Sequence, residues 1–334
     1  MDSLTQIVLG AAVGEAVLGR KVGNKAILWG AIAGTIPDLD VVFSLFYDKV
    51  TANELHRGFS HSIVFCVMLA PILGGLVFRW YKKKQASFKG WTLLFFFSLV
   101  THPLLDAHTT WGTQLFWPLP VKLSYRNIFV IDPLYTLPFL FFLIAAMLSK
   151  QGSLKRKRLN LWGLYVSSFY MSITLLAKAY TYTIFKYSLE KQHTAYTEIQ
   201  TKPTPLNTVL WTANVATENS YLIGYYSFFD SSKDVVFTEY PKNIHLLGAW
   251  KNAAVVQRLK RMSQGWYTIS KRDGILYFND LRFGLMGVSH SEDRFVFSYE
   301  LYEESGELKA REYIKKREDV KPLLRNLWQR ILGV

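Results

Sequence analysis

The chain has 334 residues, half of them apolar and 16% aromatic, and a formal charge of +14. That length leaves room for two domains, and the composition excludes a disordered chain. A single cysteine, Cys66, excludes an intrachain disulfide and a cysteine-built zinc site, and reads as a small buried hydrophobe.

The apolar runs lie in residues 1–187, with 19 Lys and Arg against 8 Asp and Glu; the remainder carries 20 against 17. The excess of base thus flanks apolar runs, where membrane topology explains it, and no nucleic-acid partner is expected.

Residues 3–19 form a short apolar run rich in Gly and Ala and interrupted by Gln6 and Glu15. It reads as a span packed through small residues or a re-entrant helix. Without a basic leader, and with Glu15 inside it, it does not read as a secretory signal. Arg20, Lys21 and Lys25 follow, then a run over 26–47 broken at Pro37-Asp38-Leu39-Asp40. Further spans are expected over 62–80, 91–105, 133–148 and about 159–178.

The basic loops at 20–25, 79–89 and 150–158 hold 13 of the 19 basic residues of this half and are separated by two spans each. All three can therefore face the cytoplasm, which places residues 48–60, 109–131 and everything after about 180 outside. At 1.5 Å per residue, Asp38 lies roughly 20 Å and His102 roughly 16 Å along their helices from the inner side. From Thr197 the pattern becomes short alternating runs, namely 210–215, 220–229, 234–238, 265–270, 274–279 and 294–302, an antiparallel β domain. Asp319 to Leu332 has helical spacing and reads as a terminal amphipathic helix.

Three polar islands interrupt the apolar half: Asp38 and Asp40 after Pro37; His56-Arg57-Gly58-Phe59-Ser60-His61-Ser62; and His102 to His108, with Asp106 between. Buried without partners, such groups are costly. His102 and Asp106, four apart, share one helical face. The pair alone is more often a structural hydrogen bond, but ionisable groups in an apolar run point to a shared metal.

Asp38 and Asp40 fit a helix break whose carboxylates repel unless a cation lies between them; a helix cap with a salt bridge to Arg57 is the structural alternative. His56 and His61 add two imidazoles. Arg57 offers a fork for an anionic group, and Ser60 is expected to cap the following helix. Lys122 and Arg126 can add to an anion clamp. His108 lies close to a loop, Asp132 reads as a helix cap, and His193, His245 and His290 as incidental. Asp280 and Arg282, two apart on an expected strand, face one side, where they read as a surface ion pair at a turn or, alternatively, as a contact to the bundle or substrate. Histidines with carboxylates suit a divalent metal, zinc first, with manganese or magnesium as alternatives, and such a site can activate water.

The motifs Pro37 to Asp40, His56 to Ser62 and His102 to Gly112, with Met1 to Gln6 and Ile131 to Tyr135, resemble the YdjM-like family of inner-membrane proteins, described as metal-dependent hydrolases with a LexA association in the family name. Pro203 to Trp211 and Asp280 to Gly284 resemble its long form. Nothing here looks like a cytoplasmic LexA-binding module.

The expectation is a polytopic helical membrane bundle of about six spans over residues 1–187, then an extracytoplasmic β-rich domain over 188–334 with a C-terminal helix. The function expected is metal-dependent hydrolysis, of a phosphoester or lipid-derived substrate at the outer interface of the inner membrane. Asp38, Asp40, His56, His61, His102 and Asp106 are expected to bind metal, and Arg57, His61 and Asp106 to serve catalysis. Membrane lipids and a small-molecule or lipid substrate are the partners. The alternative is a non-catalytic membrane protein that binds metal for structure or transport.

Overall fold

The computed structural model describes the chain except residues 82–85, 288–294, 314–319 and 334. Lys82, Lys83 and Lys84 of the second basic loop, His290, Arg294 and Asp319 therefore lie outside the described residues. The rest forms two compact units, one of Met1–Phe43, Leu55–Leu176 and Pro205–Asn207, the other of Ser44–Glu54, Ala177–Thr204 and Thr208–Val334.

In the first unit α1 (Ser3–Gly14) starts on Asp2, whose side chain accepts from the Thr5 amide at 3.1 Å. It runs through a π-helical stretch (Glu15–Gly19) into one last turn, α2 (Arg20–Val22). The next helix, α3 (Asn24–Thr35), packs on α1 through facing glycines: a Cβ on Gly30 would lie 2.3 Å from the Gly10 carbonyl oxygen. Small residues let the two backbones touch, as the Gly- and Ala-rich run implied. At Pro37 regular helix gives way to a 3₁₀ segment (Ile36–Leu45) that carries Asp38 and Asp40, the break expected there.

After α4 (Lys49–Leu55), most of which belongs to the second unit, a 3₁₀ turn (Phe59–His61) leads into α5 (Ile63–Trp80). The cap of α5 is Ser62, which accepts from the Phe65 amide at 3.1 Å. That corrects the expectation for Ser60, because the helix opens two residues after His61, at Ile63, and puts Ser62 at the extended cap position. α6 (Phe88–Asp106) continues through Pro103 and is the centre of the unit, packed on α1, α3 and α5. Its Trp91, Leu94, Phe95 and Leu99 are buried against Leu18, Ala26, Cys66 and Ala70.

α7 (Pro133–Met147) has Asp132 as its cap and proline in its first turn. α8 (Leu154–Lys191) is one helix of 38 residues. It extends beyond the expected 178 because Ile184, Phe185 and Leu189 are buried in the core of the second unit. Three of these helices, α5, α6 and α8, are long and apolar enough to cross a membrane, and α7 is a shorter apolar one. Val67, Met68, Ile72 and Leu76 of α5 are more than half exposed, an apolar face that suits lipid.

The second unit holds two antiparallel four-stranded sheets, each in sequence order. The first is β1 (Glu198–Pro203), β2 (Leu210–Ala216), β3 (Ser220–Ser227) and β4 (Phe237–Pro241). After α9 (Ala254–Met262) comes the second, β5 (Tyr267–Arg272), β6 (Ile275–Leu285), β7 (Phe295–Glu304) and β8 (Glu307–Glu312), and then α10 (Val320–Ile331). Register is plain in pairs such as Asn214↔Ile223 and Ile269↔Phe278. Asp280 and Arg282 do pair, with the Arg282 Nη2–Asp280 Oδ2 contact at 2.6 Å, but both are buried on β6, which corrects the reading as a surface pair.

Candidate metal centre

The three polar islands meet in the first unit. The end of α6 supplies His102 and Asp106, the 3₁₀ turn before α5 supplies His61, and the 3₁₀ segment after α3 supplies Asp38. Each offers one donor atom, and the four donors lie within 4.8 Å of one another. His61 Nε2 is 3.2 Å from His102 Nε2, 3.3 Å from Asp38 Oδ1 and 3.4 Å from Asp106 Oδ2. His102 Nε2 is 3.3 Å from Asp38 Oδ1 and 3.5 Å from Asp106 Oδ2.

For neutral rings, the form that binds metal, the tautomers follow from the far side of each ring. His102 Nδ1 is 2.6 Å from the Gly34 carbonyl oxygen, which can only accept, so Nδ1 carries the proton and Nε2 a lone pair. His61 Nδ1 is 3.0 Å from Ser60 Oγ, whose own proton goes to Asp40 Oδ2 at 3.1 Å. His61 Nε2 is therefore also a lone pair. Two imidazole lone pairs and two carboxylate oxygens face one another with His61, His102 and Asp106 side chains 0% exposed. Asp106 Oδ2 accepts no hydrogen bond among the described residues.

This donor set fits a small divalent cation. Five of the six donor–donor distances are 3.2–3.5 Å, and the sixth, between Asp38 and Asp106, is within 4.8 Å. A tetrahedron with edges of about 3.3 Å has its centre about 2.0 Å from each corner, the distance at which nitrogen and oxygen ligands hold such ions. One proton on an imidazole can serve a single edge, whereas a cation serves all four donors. Charge agrees: among the described residues, three carboxylates (Asp38, Asp40, Asp106) gather around the Arg57 guanidinium.

The remaining expected residues surround the four donors. Asp40 Oδ1 is 2.9 Å from His56 Nδ1, and Asp40 Oδ2 accepts from the Arg57 amide at 2.9 Å and lies 3.4 Å from His61 Nδ1. Asp40 thus orients His61, and His56 meets Asp40; neither is among the four clustered donors. Arg57 is buried, with φ +58, a left-handed backbone that a non-glycine residue holds only at a cost. Its Nε lies 3.0 Å from Asp106 Oδ2 and its Nη1 donates to Thr109 Oγ1 at 2.8 Å. The guanidinium is turned to protein groups.

Asp106 Oδ1, on the other side, accepts from the Met1 amine and from Gln6 Nε2 at 3.0 Å. Sequence reasoning gave no site role to Gln6, which read as an interruption of an apolar run and as part of the Met1 to Gln6 motif, nor to the Gly34 carbonyl, which leaves no side-chain signature. His108 bonds Asn127 at 2.8 Å, outside the cluster, and burial holds its pKa below the ordinary value against the pull of that bond. Lys122 donates to the His56 carbonyl at 3.1 Å. Asp132 caps α7 through the Tyr135 amide at 3.1 Å, as expected. His193 and His245 lie in the second unit, apart from the cluster.

A model of the YdjM inner membrane protein family matches residues 1–181, more than half of the chain and all of the cluster. The C-terminal motifs at 203–211 and 280–284 lie beyond the match. The chain is 33% identical over 132 residues to the uncharacterized protein YfhP of Bacillus subtilis (strain 168), covering 36% of this chain and 38% of that protein. It is 35% identical over 107 residues to the inner membrane protein YbcI of Escherichia coli (strain K12), covering 31% of this chain and 58% of that one. The chain thus spans less than two thirds of either relative. No solved structure matches it.

Proposed function

The chain belongs to the YdjM inner membrane protein family, and from that premise and the clustered donors we propose that it is a membrane-embedded, metal-dependent hydrolase. The observation that carries the reading is the convergence of Asp38, His61, His102 and Asp106, four donors close enough together to share one cation. A mixed set of two nitrogens and two oxygens favours zinc over magnesium or calcium, which prefer six or more oxygens. The chemistry a divalent ion supplies in such a set is Lewis acidity toward water and toward a phosphoryl or acyl oxygen.

The residues divide the work. Gly34 holds the His102 ring through its carbonyl, and Ser60 with Asp40 holds the His61 ring, so both lone pairs stay aimed inward. Gln6 and the Met1 amine hold one oxygen of Asp106 and leave the other to the cluster. Arg57 acts through Asp106 as a positioning residue. Asp38, with its side chain 26% exposed, is the donor open to water and substrate. In this reading the substrate is a phosphoester or lipid-derived ester, the chain is multi-pass with its basic loops in the cytoplasm, and the β domain lies outside.

A second reading has support of its own: four protein donors are the number that closed structural sites use, whereas catalytic ones keep a position open. Purified protein, loaded with zinc, is tested on phosphodiester and lipid-ester substrates before and after chelation. Hydrolysis that chelation abolishes and zinc restores supports the enzyme. Full metal content with no turnover of either class leaves the structural site.

A further inference from the structure

We propose that a second site in the first unit, a cavity between the π-helical stretch Glu15–Gly19 and the start of α8, binds the phosphate of an anionic phospholipid. The cavity measures about 600 Å³. Its floor is a buried ion pair: Arg156 Nε and Nη2 donate to the two oxygens of Glu15 at 2.6 Å each, with both side chains 5% exposed or less. Gly19 makes room for that carboxylate, since a Cβ there would lie 2.1 Å from Glu15 Oε2. A π-helical turn at such a spot is a frequent mark of a functional site.

Because Glu15 is committed to Arg156, it does not offset the other cations of the lining. Arg20, Lys21 and Lys157 are exposed around the cavity and meet no carboxylate among the described residues. Three uncompensated cations at one mouth suit a phosphate. Asn160 lines the same cavity, 3% exposed. Its Nδ2 donates to the Ala12 carbonyl at 2.9 Å, and its Oδ1 accepts nothing among the described residues. That oxygen asks for a donor on the ligand, such as a headgroup hydroxyl, beside the anion.

The apolar part of the wall selects lipid over free phosphate. Leu154 is 72% and Leu161 48% exposed at the cavity, at the start of a helix apolar enough to cross a membrane. Cations beside exposed leucines match a headgroup phosphate with acyl chain below it, whereas inorganic phosphate gains nothing from the leucines.

The test uses the full chain in neutral detergent, with bound lipid counted by native mass spectrometry against phosphatidylglycerol and phosphatidylcholine. The proposal expects retention of phosphatidylglycerol over phosphatidylcholine, and a loss of about tenfold or more in Lys21→Gln/Lys157→Gln, since each cation near a headgroup is worth about 1 kcal/mol. Lys155→Gln/Arg158→Gln changes two exposed cations of the same helix start that do not line the cavity, and is expected to keep the lipid. Equal loss in both variants would mean diffuse surface charge and overturn the proposal. So would inorganic phosphate that binds the cavity as tightly as the lipid and displaces it.

Discussion

Asp106 shows how a single side chain is divided between structure and chemistry. One oxygen is taken by Gln6 and the chain's first amine, and the other is left to Arg57 and the two histidines. The spacing of His102 and Asp106 was legible in sequence, because a four-residue separation on a helix fixes a shared face. The division between Asp38 and Asp40 was not, because the 3₁₀ segment sends one carboxylate to the donors and the other to the outer nitrogen of His61. This difference is measurable. Asp40→Asn removes an orienting acceptor and is expected to weaken metal affinity about 10–100-fold while a full complement still binds at saturating metal. His61→Ala removes a donor and is expected to lose binding outright. Titration against a chelating dye compares the two, and equal losses would make Asp40 a ligand.

Among elements, the α1–α3 contact is the one that ties packing to the site. Gly10 and Gly30 touch at backbone distance, and Gly34, on the same helix as Gly30, supplies the carbonyl that orients His102. Gly30→Ala is expected to push the helices apart, at a cost of about 1–3 kcal/mol in stability, and to lower metal affinity although no donor is changed. Thermal unfolding with metal titration measures both, and unchanged affinity in a destabilised protein would separate the packing from the site. The apolar runs located α5, α6 and α7 to within a few residues. β1 and β8 were not read as strands: Lys202 and Pro203 blunt the first, and Glu307 to Glu312 alternates charges without a β-branched residue, so pairing with β2 and β7 decides both. The 13 residues of α8 past the expected 178 were hidden for a similar reason, since burial in the second unit prolongs the helix.

At the scale of the whole molecule, charge and hydropathy change together along the chain, near residue 187. The base-rich first part holds α5, α6 and the apolar start of α8; the near-neutral second part holds the sheets. The topology proposed from the basic loops makes a direct prediction. A reporter fused after Lys191 is expected outside the cytoplasm and one near Lys84 inside; both on one side would rule out the six-span arrangement. A metal that offsets the buried carboxylates also predicts coupling between metal and stability. The most direct measurement of the central claim is the metal content of the purified full chain after supply of zinc, manganese or magnesium. About one divalent ion per chain is expected for a single four-donor site, with loss of the ion and a lower melting temperature in Asp106→Ala and in His61→Ala, and no change in His193→Ala. Full metal content and stability in both Asp106→Ala and His61→Ala would contradict it.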